Sequence, residues 1–365
     1  MYILLNNKQI KCILIGGLVM TKIFNDNSIV AVHPNPHHAD DVFCVACVLI
    51  MNPNVKIIRT RNKEELEKVD FRIDVGGKYD PNTGDYDHHQ NDFNERHANP
   101  NEAKHKKGPK YCAFSLIWRH YATDIIKAIL FNLNKATNKE WNITDDIIDY
   151  INQSIEETLV ASIGAMDNGE QKTYYLDTGS IRLPTIVKFI QNYNPCTWIE
   201  GWDHDRFFFK AVNMAITYLE REVIKLYGQV QAVDPVLEAV DKAKDGIMIL
   251  NQYLPWGPVF TRFPFDTKDI KMVMYPSTEG WMFQSPLIKM LVDKDRFQIE
   301  LPNGERRKYR YIIPTNLWGA DENRIKEITG IDDGIFIHAT GFVGGTKTKE
   351  AAIALCNYII NNQEY

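Results

Sequence analysis

The sequence is poor in cysteine, with six in 365 residues and no dense spacing pattern. That excludes a small disulfide-stapled scaffold and fits reduced thiols. Cys44 and Cys47 form one C-x-x-C, but no second pair follows to complete a zinc site, and their neighbours Val42, Phe43, Val45, Ala46, Val48, Leu49 and Ile50 are apolar. The spacing reads as one face of a buried helix. Long apolar runs are also missing: Cys12 to Met20 falls far short of the ~20 residues of a membrane span, so no membrane partner is expected. Positive charge is not in excess. The net charge is −5, so only local patches could attract phosphates. Residues 1–25 contain no acid but carry Lys8, Lys11 and Lys22, which leaves room for a signal or transit segment. No arginine precedes Arg59, which argues against a standard mitochondrial presequence, and Met20 could serve as an alternative start. The expectation is an intracellular protein, cytoplasmic or nuclear. There is no internal repeat and no low-complexity tract.

What the chain does have is a concentration of histidine and aspartate. Seven of ten histidines fall between His33 and His105. Three stretches stand out: His33 to Asp41, Asp74-Val75-Gly76-Gly77, and Tyr86-Asp87-His88-His89-Gln90. Mixed imidazole and carboxylate ligands suit Mn²⁺, Fe²⁺ or Zn²⁺. Several together can hold two cations, the usual apparatus for cutting phosphate esters. Taken singly, His33 or His38 reads as a surface or satisfied histidine, Asp74-Val75-Gly76-Gly77 as a strand-ending turn, and Asp167-Asn168-Gly169 further on as a helix C-terminus and turn.

Their placement favours the joint reading. Ile29 to Val32 reads as a short buried strand, and Val55 to Arg59 and Phe71 to Val75 as two further strands, with helices at Val42 to Met51 and Lys63 to Lys68 between them. This βαβαβ order signals a parallel sheet covered by helices. Ligands of such sheets gather beyond the carboxyl ends of the strands, where His33 and Asp74 lie. Further helices are expected at Tyr111 to Tyr121, after Thr144 as N-cap, and over residues 205–228, the last as a bridge between domains. From Gly246 the pattern becomes α+β, with strands at Ile247 to Leu250, Ile270 to Tyr275, Trp281 to Phe283, Arg310 to Ile313 and Ile335 to Ile337, and a final helix from Thr348 to Ile360. The expected layout is an α/β protein: an extension (1–27), a parallel-sheet metal-binding catalytic domain (28–204), connecting helices (205–245) and a smaller α+β substrate-binding domain (246–365).

These motifs resemble those of DHH-type phosphoesterases, and more narrowly the exonuclease family named for melanocyte proliferating gene one. The resemblance rests on His33, His38 and Asp40, on Asp74 to Asp80, on Tyr86 to Gln90, on Asp167-Asn168-Gly169, and on His338-Ala339-Thr340-Gly341-Phe342-Val343-Gly344-Gly345. Five motifs in the right order make it specific, and it runs from about residue 28 to near the C-terminus. It implies a DHH-like fold and two divalent cations, with Mn²⁺ first and Mg²⁺, Fe²⁺ or Zn²⁺ as alternatives. His33, His38 and Asp74 would hold one. Asp40, Asp74, His88 and Asp167 would hold the other, with Asp74 shared, and the pair would activate a water. His89 would contact phosphate or protonate the leaving group, and Asp87 would orient a ligand histidine. His338 would contact a substrate phosphate. Gly344 and Gly345, read from their place between a strand and a helix, either present backbone N–H groups to substrate phosphate or make a tight turn needed for packing.

The same resemblance implies a metal-dependent phosphodiesterase, a 3′–5′ exonuclease acting on RNA or single-stranded nucleic acid, with a part in RNA processing. Two alternatives stay open: hydrolysis of pyrophosphate or short oligonucleotides, and a catalytically silent nucleic-acid binder. A homo-oligomer is also open. Three departures bear on the site. His37 replaces a large apolar residue, Asn91 a basic one, and Gly164 an acid three residues before Asp167. The basic clusters Arg59-Arg61-Lys63, Lys104 to Lys110 and Arg306 to Arg310, and the aromatics Trp256, Trp281 and Phe283, are most simply surface and core.

Overall fold

The computed structural model describes residues 22–98, 107–138, 140–170, 184–262, 270–286 and 313–362, with the backbone of 174–175, 182–183, 299–300 and 306–307. The chain divides into two units, Met1–Ile224 and Lys225–Tyr365, each with its own sheet.

The first unit opens with the expected alternation: β1 (Ile29–Val32), α1 (Ala39–Met51), β2 (Lys56–Arg59), α2 (Lys63–Leu66) and β3 (Phe71–Ile73). Two short strands follow, β4 (Tyr79–Asp80) and β5 (Asp85–Tyr86). The sheet order is β2-β1-β3-β5-β4. Strands β2, β1, β3 and β5 run parallel, while β4 returns antiparallel to β5. The sheet is therefore mixed rather than purely parallel. Strands of two residues show no alternation, so the sequence pattern carries no trace of this hairpin. Alternation in β1 sets its two faces. Ile29 and Ala31 pack with Leu66, Val69 and Val75 on one side, and Val30 and Val32, fully buried, face the other.

Helix α1 is buried at every position from Ala39 to Val48, so it has no polar face. It packs against α3 (Ala113–Thr137). That helix outruns the expected Tyr111 to Tyr121 because Ile125, Ile126, Ile129 and Leu130 continue its buried stripe. Cys44, Cys47 and Cys112 are buried and unpaired. Thr144 caps α4 (Asp145–Ile155), its hydroxyl oxygen accepting from the Ile147 N–H. A π-helical turn, Glu156–Val160, leads into α5 (Ala161–Asp167). The strand pair β6 (Tyr174–Tyr175) and β7 (Arg182–Leu183), then α6 (Ile186–Gln191) and α7 (Thr197–Glu200), precede α8 (His204–Gln231). The division between the units falls inside α8.

The second unit contains α9 (Val233–Asp241), β8 (Ile247–Ile249), α10 (Trp256–Arg262), β9 (Met272–Ser277), β10 (Gly280–Gln284), the pair β11 (Ile299–Glu300) and β12 (Arg306–Arg307), α11 (Glu322–Thr329), β13 (Gly334–Ile337), β14 (Val343–Thr346) and α12 (Lys349–Asn361). Its main sheet, β13-β14-β10-β9-β8, is antiparallel except for β8 beside β9. Alternation again divides the faces. Met272, Met274 and Phe283 pack with Leu355, Cys356 and Ile359 of α12, and Met248 and Val273 pack with Val236, Trp256 and Phe260. Among the described residues no helix is long and apolar enough to cross a membrane. Residues 1–21, Lys104 to Lys106 and most of the strand expected at Arg310 to Ile313 lie outside the described residues.

Gly344 and Gly345 precede the last helix from within a strand. They lie inside β14, paired to β10 on one side and β13 on the other. A Cβ on Gly344 would come within 2.4 Å of Phe283 Cζ and 2.7 Å of Ile337 Cδ1. The glycines are there for packing. Gly344→Ala should therefore lower the unfolding midpoint of the second unit, at a cost of ~1–3 kcal/mol typical of overpacking. An unchanged melting curve would refute this.

The first unit also holds a half-buried titrating group away from the aspartates. His120 Nε2 lies 2.7 Å from the Tyr79 hydroxyl, and its ring packs against Tyr86. Burial, helped by the charge on Arg119, lowers its pKa to about 4. The unfolded chain then takes up a proton that the folded chain refuses, so this contribution to stability falls as pH drops from 6.5 toward 4. In urea denaturation, His120→Gln should lose less stability than wild type between pH 7.5 and 5. Equal losses would contradict the assignment.

Candidate metal centre

Three adjacent parallel strands, β1, β3 and β5, end on one edge of the first sheet. Each is followed within two residues by a group the sequence singled out: His33, Asp74 and His88. The amino end of α1 adds His38, Asp40 and Asp41, and the last residue of α5 is Asp167. Helices and strands that bury their apolar faces thus deliver the polar groups to one place.

The shared point is Asp74. It takes a left-handed backbone, φ +53°, and is 4 % exposed. One carboxylate oxygen lies 3.3 Å from His33 Nε2 and the other 3.6 Å from His88 Nε2. His88 Nε2 also lies 3.3 Å from Asp167 and 3.7 Å from Asp40. Three groups place one ligand atom per residue within 4.8 Å of one another: His33-His38-Asp74, Asp40-His88-Asp167, and Asp74-Asp87-His88-His89. The first two sets divide the expected ligands, with Asp74 within reach of both. A space of about 150 Å³ lies beside them, lined by His38, Asp40 and Asp167 with Ile163, Met166, Val187 and Gln191.

The polar atoms here fit a cation. His33 Nε2, Asp41 Oδ2, Asp74 Oδ1 and His88 Nε2 are buried and have no hydrogen-bond partner, a costly state for polar groups that face only one another. Nδ1 of His33 donates to the Pro34 carbonyl at 2.7 Å, which turns Nε2 inward in the manner of a metal-ligating histidine. Asp40 is locked by the amino end of α3, where the Ala113 and Phe114 N–H groups donate to its two oxygens.

Electrostatics reflect the crowding. Burial drives the pKa of Asp40 well above the ordinary carboxylate range, reinforced by Asp74 and Asp167. Burial and the Asp74 charge likewise raise Asp167. Asp74 also suffers burial, but the His33 and His88 imidazoles outweigh it and hold its pKa low. For His33 and His88 burial acts downward, and the surrounding carboxylates overcome it, lifting both to about 9. His38 is lowered by burial and by His33.

Asp41 joins the cluster although it is not among the expected ligands. It is fully buried, its Oδ1 accepts from the His38 and Val42 N–H groups, and its Oδ2 faces His33 Nε2 at 3.5 Å. Burial pushes its pKa to about 7 against the His33 charge. Its only signal in the sequence is an acid three residues after the helix cap, a position that capping explains. Asp87 serves His89 rather than the His88 ring: Oδ1 accepts from the His88 and His89 N–H groups and lies 2.7 Å from His89 Nδ1, while Oδ2 accepts from Gly77 N–H. That hydrogen bond raises the His89 pKa. His37, a departure expected to add an imidazole beside the ligands, packs its buried ring on Phe208 and joins none of the three groups. His338 belongs to the second unit, where it is exposed and its Nδ1 lies 2.6 Å from the Thr340 hydroxyl.

Gly164 has no room for the acid expected there, since a Cβ would lie 2.6 Å from the Lys110 carbonyl and 3.3 Å from His97 Nε2. His97 instead links two ligand-bearing segments. Its Nδ1 lies 2.6 Å from Glu156 in the π-helical turn before α5, and its Nε2 lies 2.9 Å from the Ser115 hydroxyl in the first turn of α3. The order Ser-His-Glu is that of a nucleophilic triad, but Ser115 is 1 % exposed and its oxygen already accepts from the Cys112 N–H. It is a buried strut. His97→Ala should cost ~2 kcal/mol by stranding Ser115 and Glu156, read as a lower unfolding midpoint. An unshifted midpoint would show that the strut bears no load.

Comparisons with known proteins place the chain in a family. Residues 29–360 match the MYG1 exonuclease family model, described as "Uncharacterised protein family (UPF0160)". The MYG1 protein of Saccharomyces cerevisiae is 28 % identical over 352 residues, covering 89 % of this chain and 94 % of its own. The MYG1 protein of Schizosaccharomyces pombe is 26 % identical over 341 residues, covering 89 % and 95 %. The protein of Homo sapiens called MYG1 exonuclease is 24 % identical over 350 residues, covering 92 % and 86 %. No solved structure matches. With nearly its whole length matched, and with its histidines and aspartates converging at one sheet edge, the chain belongs to the MYG1 family.

Proposed function

We propose that this protein is a metal-dependent phosphodiesterase of the DHH type, a 3′–5′ exonuclease on RNA or single-stranded nucleic acid. The observation that carries the reading is the convergence of the His33-His38-Asp74 and Asp40-His88-Asp167 groups around buried nitrogen and oxygen atoms without partners. Relatives named as exonucleases support the nuclease class. The 3′–5′ polarity and the RNA preference rest on the family resemblance.

His33, His38 and Asp74 would hold one divalent cation, and Asp40, Asp74, His88 and Asp167 a second. Mn²⁺ suits this donor set, as do Fe²⁺ and Zn²⁺. When bound, such ions supply Lewis-acid polarisation of the phosphoryl group and make water acidic enough to attack near neutral pH. The chain's own groups do the rest. The Ala113 and Phe114 amides fix Asp40, and the Pro34 carbonyl fixes the His33 ring. Asp87 holds Nδ1 of His89, whose side chain is 61 % exposed. That leaves Nε2 free to donate to a phosphoryl oxygen or to the departing oxygen.

The test is a gel assay with 5′-labelled single-stranded RNA and DNA in Mn²⁺, beside an Asp74→Asn variant. The expected result is a ladder shortening from the 3′ end that the variant abolishes. Intact strands with Mn²⁺-loaded wild type would reject the exonuclease reading.

A further inference from the structure

A cleft of about 880 Å³ opens from the metal centre within the first unit, with Asp74, Asp87 and His89 among its lining residues. It runs past Gly76 and Gly77 to Arg61, Lys63 and Leu66. Its volume is near the top of the roughly 300–1,000 Å³ range of small-molecule sites. Inorganic phosphate or pyrophosphate would leave most of it empty.

The charges in its wall differ in how they are used. Arg72 is spent on the fold, with Nε on Asp85, Nη1 on the Leu66 and Val69 carbonyls and Nη2 on the Thr83 carbonyl. Lys78 faces Asp80 at 3.0 Å and Asp85 at 3.5 Å. Asp87 is taken by His89 and by the Gly77 N–H. Three lining charges remain without a side-chain partner among the described residues: Arg61, Lys63 and Glu67, all exposed. Leu66 and Val75 also border the cleft, with most of their surface turned into the core. Nothing lies within 4 Å of where a Cβ on Gly77 would sit, so the backbone there is open to a flat group.

We propose that this cleft is a nucleotide subsite. It receives the nucleotide adjoining the scissile phosphate: the next phosphate pairs with Arg61 and Lys63, and the base lies over the open backbone of Gly76 and Gly77. Glu67, at the same wall, opposes phosphate and limits affinity. The inference rests on the phosphodiesterase reading and narrows it to oligonucleotides, since only a substrate longer than pyrophosphate reaches the subsite.

The experiment compares wild type, Arg61→Ala/Lys63→Ala and Glu67→Gln on two Mn²⁺-dependent substrates. One is pentauridylate. The other is bis(p-nitrophenyl) phosphate, which carries a single phosphodiester and no neighbouring phosphate. The double variant should raise KM for pentauridylate about tenfold, a loss of charged hydrogen bonds. Its kcat and its rate on bis(p-nitrophenyl) phosphate should stay at wild-type values. The salt dependence of its pentauridylate affinity should become shallower, by about 0.7 in log–log slope for each phosphate left unpaired. Glu67→Gln should lower KM. An unchanged KM, or equal losses on both substrates, would overturn the subsite. If wild type cleaves neither substrate, the phosphodiesterase reading fails on its own, and fluorescence anisotropy with 5′-fluorescein pentauridylate decides the subsite. Tenfold weaker binding by the double variant would sustain it, and equal binding would remove it.

Discussion

Everything at the sheet edge depends on keeping several carboxylates close together, away from water. Asp40, Asp41 and Asp74 are almost wholly buried, and Asp167 approaches the same histidine as Asp40 and Asp74. Such a cluster repels itself strongly in a medium of low polarisability. The fold meets the repulsion with fixed dipoles, the α3 amides on Asp40 and the α1 amides on Asp41, and with imidazoles on either side of Asp74. What remains is a deficit of positive charge at the centre. Divalent cations suit that deficit, and the rest of the first unit serves to keep it in place.

The scaffolding around the centre has the same purpose. Helix α1, buried from Ala39 to Val48, cannot slide without exposing apolar surface, so His38, Asp40 and Asp41 are set by core packing. His97 ties the start of α3 to the π-helical turn ahead of Asp167. Helix ends and strand ends supply the ligands, while Arg72 and its carbonyl partners hold the adjoining wall. This division keeps the histidine and aspartate cluster rigid and leaves the wall beside it open.

Much of this is legible in the sequence, for a physical reason. The βαβαβ pattern places strand ends together, so His33 and Asp74 can be joined without coordinates. The double histidine after Tyr86 follows the same logic, although β5 itself is too short to see. Asp41 stays hidden because an acid in a first helical turn is explained by capping alone. Gly344 and Gly345 leave two readings open in the sequence, because glycine before a helix looks the same whether it frees backbone for a ligand or makes room for Phe283 and Ile337. The length of α3 and the strut at His97 depend on contacts between distant segments, which local periodicity does not carry.

The left-handed backbone of Asp74 narrows the residues that position can hold. Among side chains with a β-carbon, that conformation is readily tolerated only by aspartate and asparagine; glycine takes it freely. Of these three, aspartate alone bears a negative charge, and it is short enough to reach two histidines from one Cα. Glutamate, the usual conservative exchange, would meet the charge requirement and fail the backbone one. Residue 74 is thus fixed twice over, by the geometry of the turn that ends β3 and by the chemistry that turn presents.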